Sequence, residues 1–124
     1  MKYLLDTHVL LWALVDDPRL SAAQREILSA GAGEIYVSAA SVWEVGIKRA
    51  LGKLDVPANV FDVAHASGCR PLVITWAHAS AAAALPQHHA DPFDRMLIGQ
   101  AATEGMVLVS SDRRIAAYGV EMVR

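Results

Sequence analysis

Residues 106–112 read Met-Val-Leu-Val-Ser-Ser-Asp, an apolar run that ends in two small polar residues and an aspartate. The run lacks the alternation of apolar and polar side chains that marks a strand with one face in solvent. It therefore predicts a strand that is covered on both faces, as in a parallel sheet. Residues 3–5 (Tyr-Leu-Leu) and 72–74 (Leu-Val-Ile) have the same character.

Two further apolar segments, residues 35–37 and 120–123, bring the predicted strands to five. Segments with helical spacing lie between the strands, at residues 21–30, 41–51, 60–66, 77–85 and 92–104. Strands that alternate with helices of this length favour right-handed crossovers with helices on both faces of the sheet. We therefore predict an α/β fold, a three-layer α/β/α sandwich with a parallel five-stranded sheet.

Length and composition limit the class of protein. A chain of 124 residues that is 54% hydrophobic is long enough for one well-buried core, so we expect a single domain over residues 1–124. The formal net charge of -2 excludes a globally basic protein, and any contact with nucleic acid needs a local patch. Because Asp6 interrupts the N-terminal apolar stretch and no apolar segment reaches ~18 residues, we expect a soluble cytoplasmic protein without membrane association.

Acidic side chains recur where this fold gathers functional groups, beyond the carboxyl ends of the strands. Asp6 follows the first predicted strand and Asp112 follows the fourth. Glu44 lies about one turn into the helix after the second strand, and Asp94 lies in the first turn of the helix before the fourth strand. We expect all four carboxylates to share one edge of the sheet.

Four converging carboxylates repel one another unless a cation neutralises them. Oxygen ligands without cysteine select a hard ion, Mg²⁺ or Mn²⁺, over zinc. Such an ion activates water and stabilises the charge on a phosphodiester during its hydrolysis, which is nuclease chemistry.

Each acid also has a structural explanation, and this alternative stays open residue by residue. Residues 41–44 fit a capping box that ends in Glu44, and residues 91–94 fit an Asp N-cap followed by proline and a first-turn acid. Asp6 and Asp112 are placed to cap the segments that follow them. Capping does not require that four acids share one edge, so together they favour a metal site.

These residues together resemble PIN-domain proteins, and among them the VapC-like toxins of type II toxin–antitoxin pairs. The resemblance covers essentially the whole chain. Four segments carry it: residues 3–9, 38–44, 91–98 and 108–112. It implies a PIN fold, an endoribonuclease that depends on Mg²⁺ or Mn²⁺, a homodimer, an RNA substrate and inhibition by a cognate antitoxin protein. It also implies that Asp6, Glu44, Asp94 and Asp112 are the catalytic, metal-binding acids.

Further residues gain roles from the same resemblance. Ser110 matches a small hydroxyl position that orients the fourth acid or a water, and we group it with the substrate-binding candidates. His8 stands where these toxins often carry asparagine; it either contacts the substrate or caps and packs. Asp91 competes with Asp94 for the third acidic position. We assign it to the N-cap of the helix, where it would orient the metal ligands without binding the metal itself.

Basic and aromatic residues near the acids are candidates for RNA contact. We expect Arg95 and Arg113 to bind substrate, with Arg95 foremost because it adjoins the acids. Trp12, Trp43 and Trp76 favour core or dimer-interface positions over base stacking. The adjacent histidines at 88 and 89 suggest a loop, because neighbours in sequence usually point in divergent directions and no cysteine accompanies them.

Two other classes of function compete with the nuclease hypothesis. A receiver-type phosphoacceptor domain has a similar size and sheet, but it needs an acidic pair after the first strand, where this chain has Thr7 and His8 beside Asp6. A non-catalytic PIN-like module that binds RNA or a protein keeps the fold without the chemistry. The presence of all four acids argues against that module.

Overall fold

The computed structural model describes residues 1–29, 31 and 33–124. Its sheet has five parallel strands in the order β3-β2-β1-β4-β5, which confirms the predicted α/β sandwich and its parallel sheet. The strands are β1 (Lys2–Leu5), β2 (Glu34–Ser38), β3 (Arg70–Leu72), β4 (Val107–Val109) and β5 (Met122–Val123). The first and fourth strands lie side by side at the centre, with Leu5 opposite Val109.

Helices connect the strands. They are α1 (Thr7–Leu14), α2 (Ala22–Ser29), α3 (Ala39–Ala50), α4 (Val60–Ala66), α5 (Trp76–Ala83), α6 (Pro92–Glu104) and the short α7 (Arg113–Ala116). The last residue of the helix predicted over 21–30 lies outside the described residues. Within the part of the chain that the structure describes, no helix is long and apolar enough to cross a bilayer.

Strand β3 corrects the expectation of a strand at residues 72–74. Its register pairs Leu72 with Ser38, where β2 ends and α3 begins, so the following residues have no strand beside them. The side chain of Val73 is accordingly 67% exposed instead of buried in the sheet. Pro71 lies within β3, which a strand at the edge of a sheet tolerates because one side of its backbone is unpaired.

Both faces of the sheet are covered by apolar packing. Neighbouring residues of one strand point to opposite faces, and Leu4 and Leu5 are both fully buried, in separate clusters. Leu5 packs with Val9 and Leu10 of α1, whereas Leu4 packs with Leu97 and Ile98 of α6. This packing holds the starts of α1 and α6 close to the carboxyl edge of the central strands.

Candidate active site

The end of β1 places Asp6 beside the end of β4. The Asp6 amide donates to the carbonyl of Val109 at 2.9 Å, which extends the ladder by one residue. Its carboxylate caps α1 by accepting from the His8 amide at 3.1 Å, and its other oxygen accepts from the Ser110 hydroxyl at 2.6 Å. Asp6 is only 5% exposed, more buried than a strand-end acid is expected to be.

Ser110 connects the first acid to the fourth. It is fully buried, and its hydroxyl also accepts from the backbone amide of Asp112 at 3.1 Å. This geometry supports the orienting role expected from the sequence. Both hydrogen bonds of the hydroxyl lie within the protein, and its substrate-binding role stays a prediction.

Asp112 caps α7, as its position after β4 suggests. Its carboxylate accepts from the backbone amide and the guanidinium of Arg114 at 2.9–3.2 Å. Burial acts to raise the pKa of this carboxyl, but the hydrogen bonds from Arg114 outweigh it and hold the pKa below its usual value. Asp112 is therefore ionised over the whole neutral range.

Asp91 and Asp94 divide two roles at the start of α6. The Asp91 carboxylate accepts from the amides of Phe93 at 2.8 Å and Asp94 at 3.2 Å, so Asp91 is the N-cap. Pro92 follows at the position where its missing N–H costs nothing. The Asp94 carboxylate is left to face the other acids.

His89 is the site residue that sequence reasoning missed. Its imidazole is buried, with Nε2 2.8 Å from Asp94 Oδ2 and 3.2 Å from Asp112 Oδ2. The other ring nitrogen, Nδ1, accepts from the backbone amide of Asp91 at 3.2 Å, which assigns the proton to Nε2. His88 points away and packs edge-on against Tyr118, so the two histidines diverge, and one of them turns inward.

The place of His89 in the sequence, just before a helix start, could have predicted its inward orientation. It stands two residues before an Asp N-cap, so a free backbone N–H is available to orient one ring nitrogen. His89, Asp94 and Asp112 each offer one ligand atom, and these three atoms lie within 4.8 Å of one another.

Glu44 reaches the site from α3 and is not part of a capping box. The N-cap of this helix is Ser38, three residues before the cap expected at Ser41. Glu44 is 3% exposed, and one carboxylate oxygen accepts from Lys48 Nζ at 2.6 Å. The other oxygen, Oε1, is buried without a hydrogen-bond partner among the described residues.

The acids interact strongly. Burial and the nearby charges of Asp6, Asp91 and Glu44 together raise the pKa of Asp94 to about 7, against the opposing effect of His89. A buried carboxylate oxygen without a partner is costly, and bound cations are the usual remedy for such clusters. Carboxylate oxygens are a donor set that a hard divalent cation such as Mg²⁺ accepts. The residues present therefore fit a metal site.

A comparison of the sequence with models of protein families assigns the chain to a family. A family model described as the PIN domain matches residues 3–121. The chain belongs to the PIN-domain family.

Relatives of this PIN domain are recognisable by sequence and by fold. It is 32% identical over 118 residues to Ribonuclease VapC22 of Mycobacterium tuberculosis, covering 93% of this chain and 90% of that protein. Its fold matches VapBC2 of Rickettsia felis bound to a promoter DNA fragment, with a TM-score of 0.73, 14% identity, and coverage of 99% of this chain and 98% of that one. It also matches DNA-bound VapBC of Salmonella typhimurium, with a TM-score of 0.71, 19% identity, and coverage of 99% and 97%.

The residues expected to contact the substrate differ in their exposure and in the hydrogen bonds that they already make within this PIN domain. The His8 imidazole is exposed, with Nδ1 3.8 Å from Asp6 Oδ1. Arg113 is exposed at the start of α7 and makes no side-chain hydrogen bond or ion pair with the described residues. Arg95, the foremost candidate from sequence, has both terminal nitrogens engaged with backbone carbonyls and the Tyr118 hydroxyl. Its guanidinium therefore binds the backbone at residues 82–86 and the Tyr118 hydroxyl, and an RNA contact by Arg95 stays a prediction.

The tryptophans were expected in the core or at a dimer interface, and for two of them the structure excludes the core. Trp43 is 66% exposed and Trp76 is 93% exposed, so neither belongs to the core of the chain. Trp43 packs edge-on against Phe93 with ring centroids 5.3 Å apart, next in sequence to Glu44 and Asp94. Trp12 is half-buried beneath the guanidinium of Arg19.

Proposed function

We propose that this PIN domain is a Mg²⁺- or Mn²⁺-dependent endoribonuclease and the toxin component of a type II toxin–antitoxin pair. The observation that carries the proposal is the buried, unpartnered carboxylate oxygen of Glu44 in a cluster of acids at the carboxyl edge of β1 and β4. The 32% identity to a protein named a ribonuclease supports the choice of RNA as substrate.

Asp6, Glu44, Asp94 and Asp112 would hold the ion, with His89 beside Asp94 and Asp112. When bound, a divalent ion supplies Lewis-acid activation of water and of the phosphodiester. Ser110 fixes the orientation of Asp6 through its 2.6 Å hydrogen bond. His89 holds Asp94 and Asp112 on one side of the cluster through its single N–H. Asp91 supports this arrangement by orienting the imidazole through its backbone amide.

Substrate binding in this proposal rests on the exposed groups around the acids. His8 and Arg113 are exposed and adjoin Asp6 and Asp112 in the chain, where an RNA backbone would lie to reach the ion. The sequence has six basic residues that follow Glu44 or adjoin Asp94 and Asp112 as candidates for a patch: Lys48, Arg49, Lys53, Arg95, Arg113 and Arg114. Four of them are engaged within the protein: Lys48, Arg49, Arg95 and Arg114. The proposed patch is consequently smaller than the one expected from sequence.

The proposed partners follow from the same family. A cognate antitoxin is supported by the fold neighbours, which are VapBC proteins bound to DNA. A homodimer is supported by apolar side chains that the single chain leaves in solvent, with Trp76 the most exposed. Such a protein would act in the cytoplasm as one domain spanning residues 1–124.

Cleavage of RNA by the purified protein tests the proposal directly. We expect the parent to cut total cellular RNA with Mn²⁺ or Mg²⁺ and to stop when EDTA is added. Asp94→Asn should abolish cutting with the fold intact, whereas Asp55→Asn, an exposed acid without a side-chain hydrogen bond to the described residues, should leave it unchanged. If Asp94→Asn cuts as well as the parent, the metal mechanism is wrong.

The toxin assignment needs a test in cells. We expect expression of the parent to arrest growth, expression of Asp94→Asn to permit it, and a small protein encoded beside the parent to relieve the arrest. Normal growth with abundant folded parent protein would contradict the toxin role while leaving the nuclease chemistry standing.

A further inference from the structure

Two side chains from outside the loop hold the segment that carries His89. This segment, residues 84–91, joins α5 to α6. Arg95 approaches it from the first turns of α6, and Tyr118 approaches it from the end of the chain, after α7. We call this pair the Arg95–Tyr118 clamp.

The Tyr118 hydroxyl binds the backbone of three loop residues. It accepts from the amides of His89 at 2.8 Å and His88 at 3.1 Å, and it donates to the carbonyl of Pro86 at 2.8 Å. The aromatic ring meanwhile packs against the side chain of His88. One phenol oxygen thus fixes the direction of the chain as it enters the site.

Arg95 completes the clamp, and it also donates to the Tyr118 hydroxyl at 3.3 Å. One terminal nitrogen donates to the carbonyl of Pro86 at 2.9 Å and lies 3.4 Å from that of His89. The other donates to the carbonyls of Leu85 at 3.0 Å and Ala82 at 3.1 Å, at the C-terminal end of α5. A planar guanidinium reaches acceptors in these separate directions, and a lysine ammonium cannot reproduce that geometry.

The clamp therefore binds both backbone groups of His89. The amide donates to the Tyr118 hydroxyl, and the carbonyl accepts from the Arg95 guanidinium. With the backbone fixed, the imidazole is directed inward, where Nδ1 meets the Asp91 amide and Nε2 meets Asp94 and Asp112. Neither Arg95 nor Tyr118 bonds an acid of the cluster within the described residues. In the part of the chain that the structure describes, the polar contacts of these two side chains lead to the acids only through the loop.

We propose that Arg95 and Tyr118 are positioning residues that set the affinity of the site for its ion by holding His89 against Asp94 and Asp112. This inference rests on the proposed function, because it assumes that those acids bind a divalent cation. It gives Arg95 a structural connection to the chemistry in place of a direct RNA contact. Groups that orient metal ligands from behind commonly change metal affinity or activity by about 10–100-fold when they are removed.

Tyr118→Phe is the sharpest test, because it deletes the hydroxyl and keeps the ring that packs on His88. Mn²⁺ binding to the metal-free protein, followed by electron paramagnetic resonance of the free ion, should weaken about tenfold or more. The backbone amides of His88 and His89 should also exchange with solvent faster. Tyr36→Phe is the matched control, since among the described residues that hydroxyl bonds only Glu34, at 3.4 Å on β2.

Arg95→Lys and Arg95→Met separate the clamp from a phosphate contact. If Arg95 acts through the clamp, both variants bind Mn²⁺ more weakly, both lower kcat, and KM for RNA stays near the parent value. A phosphate contact instead predicts a parent-like Arg95→Lys, together with an Arg95→Met variant that raises KM and reduces the salt dependence of binding. That second pattern would overturn the inference.

The Mn²⁺ titration keeps this inference distinct from the proposed nuclease function. A parent that binds Mn²⁺ without cutting RNA refutes the nuclease function, and the comparison of binding by Tyr118→Phe still decides the clamp. If Tyr118→Phe melts at a lower temperature but binds Mn²⁺ as tightly as the parent, the clamp is purely structural and the inference is wrong. A parent that binds no Mn²⁺ refutes both.

Discussion

Asp94 has the most strongly perturbed carboxyl that the structure resolves, with its pKa raised to about 7 by burial and by the neighbouring acids. In the unfolded chain an aspartate loses its proton near pH 3.9. Between these two values the folded, metal-free protein binds more protons than the unfolded chain, so its free energy of unfolding falls as the pH rises from about 4 to about 7. The raised pKa thus makes the empty site a source of instability at neutral pH.

Asp94→Asn should flatten this part of the stability profile. We expect the metal-free parent to lose stability between about pH 5 and about pH 7.5 by more than the variant does, because the variant has no proton to release at residue 94. Urea unfolding in EDTA at the two pH values measures the difference. Parallel profiles would assign the destabilisation to another group.

Lys48 is the only side chain in the described residues that bonds the buried Glu44 carboxylate. Lys48→Met should lower the free energy of unfolding of the metal-free protein by about 1–3 kcal/mol, less than for a fully buried pair because the lysine is partly exposed. Mn²⁺ should recover most of this loss by giving Glu44 a new partner, so the rise in Tm on adding Mn²⁺ is larger in the variant. Lys53→Met, exposed beyond α3, serves as the control.

Helices α5 and α6 approach closely where Gly99 meets Ala82. A Cβ at Gly99 would lie 2.8 Å from the backbone nitrogen of Ala82 and 3.1 Å from its Cα. Backbone atoms in a packed helix cannot yield as the end of a side chain can, so the two helices would have to separate. Because α6 carries Asp94 and α5 ends at the clamped loop, such a shift would also move the site.

We expect Gly99→Ala to destabilise the protein by about 1–3 kcal/mol, the usual cost of overpacking, despite the better helix propensity of alanine. Gly46→Ala is the matched change in α3, where no described atom lies within 4 Å of the added Cβ. That variant should be more stable by about 0.5–1 kcal/mol. Urea unfolding of both proteins checks the pair, and equal effects would contradict the role given to the close approach.

The sequence predicted the helices and strands whose ends are marked by nearby residues. It missed those whose limits depend on contacts with distant parts of the chain. Helix α6 begins after an Asp-Pro pair and ends before a glycine, both visible in the sequence, and its bounds were predicted correctly. Helix α1 is almost uniformly apolar, so it shows no helical periodicity, although its Asp6 cap was expected. Strand β3 is displaced because the end of β2 at Ser38, and not its own apolar run, limits its pairing.

The same division holds for the site. Asp6, Asp94 and Asp112 lie at strand ends and helix starts, which a sequence displays, whereas Glu44 lies inside α3. The inward turn of His89 depends on Tyr118, nearly thirty residues further on, and no local pattern reports that contact. The carbonyl partners of Arg95 were not predicted for the same reason, since they lie up to 13 residues earlier in the chain.

At the scale of the whole molecule, a net charge of -2 and few free cations near the acids limit the electrostatic attraction for RNA. We expect log kcat/KM to fall only shallowly with log salt, with a slope of about -2 or less in magnitude. Arg113→Ala should reduce that slope by about 0.7, the amount expected for one lost phosphate contact on a single strand. A steep slope that Arg113→Ala leaves unchanged would place the RNA on another face.

Three aspartates around the site begin a helix: Asp6, Asp91 and Asp112. Asparagine caps a helix about as well as aspartate does, but it carries no charge to hold a cation. An Asp6→Asn change keeps a side-chain oxygen to cap α1 and removes the charge proposed to hold the cation. Under the proposed toxin role, such a change would free the host from the toxic activity, while the altered chain would keep its fold and the surfaces that contact its partners.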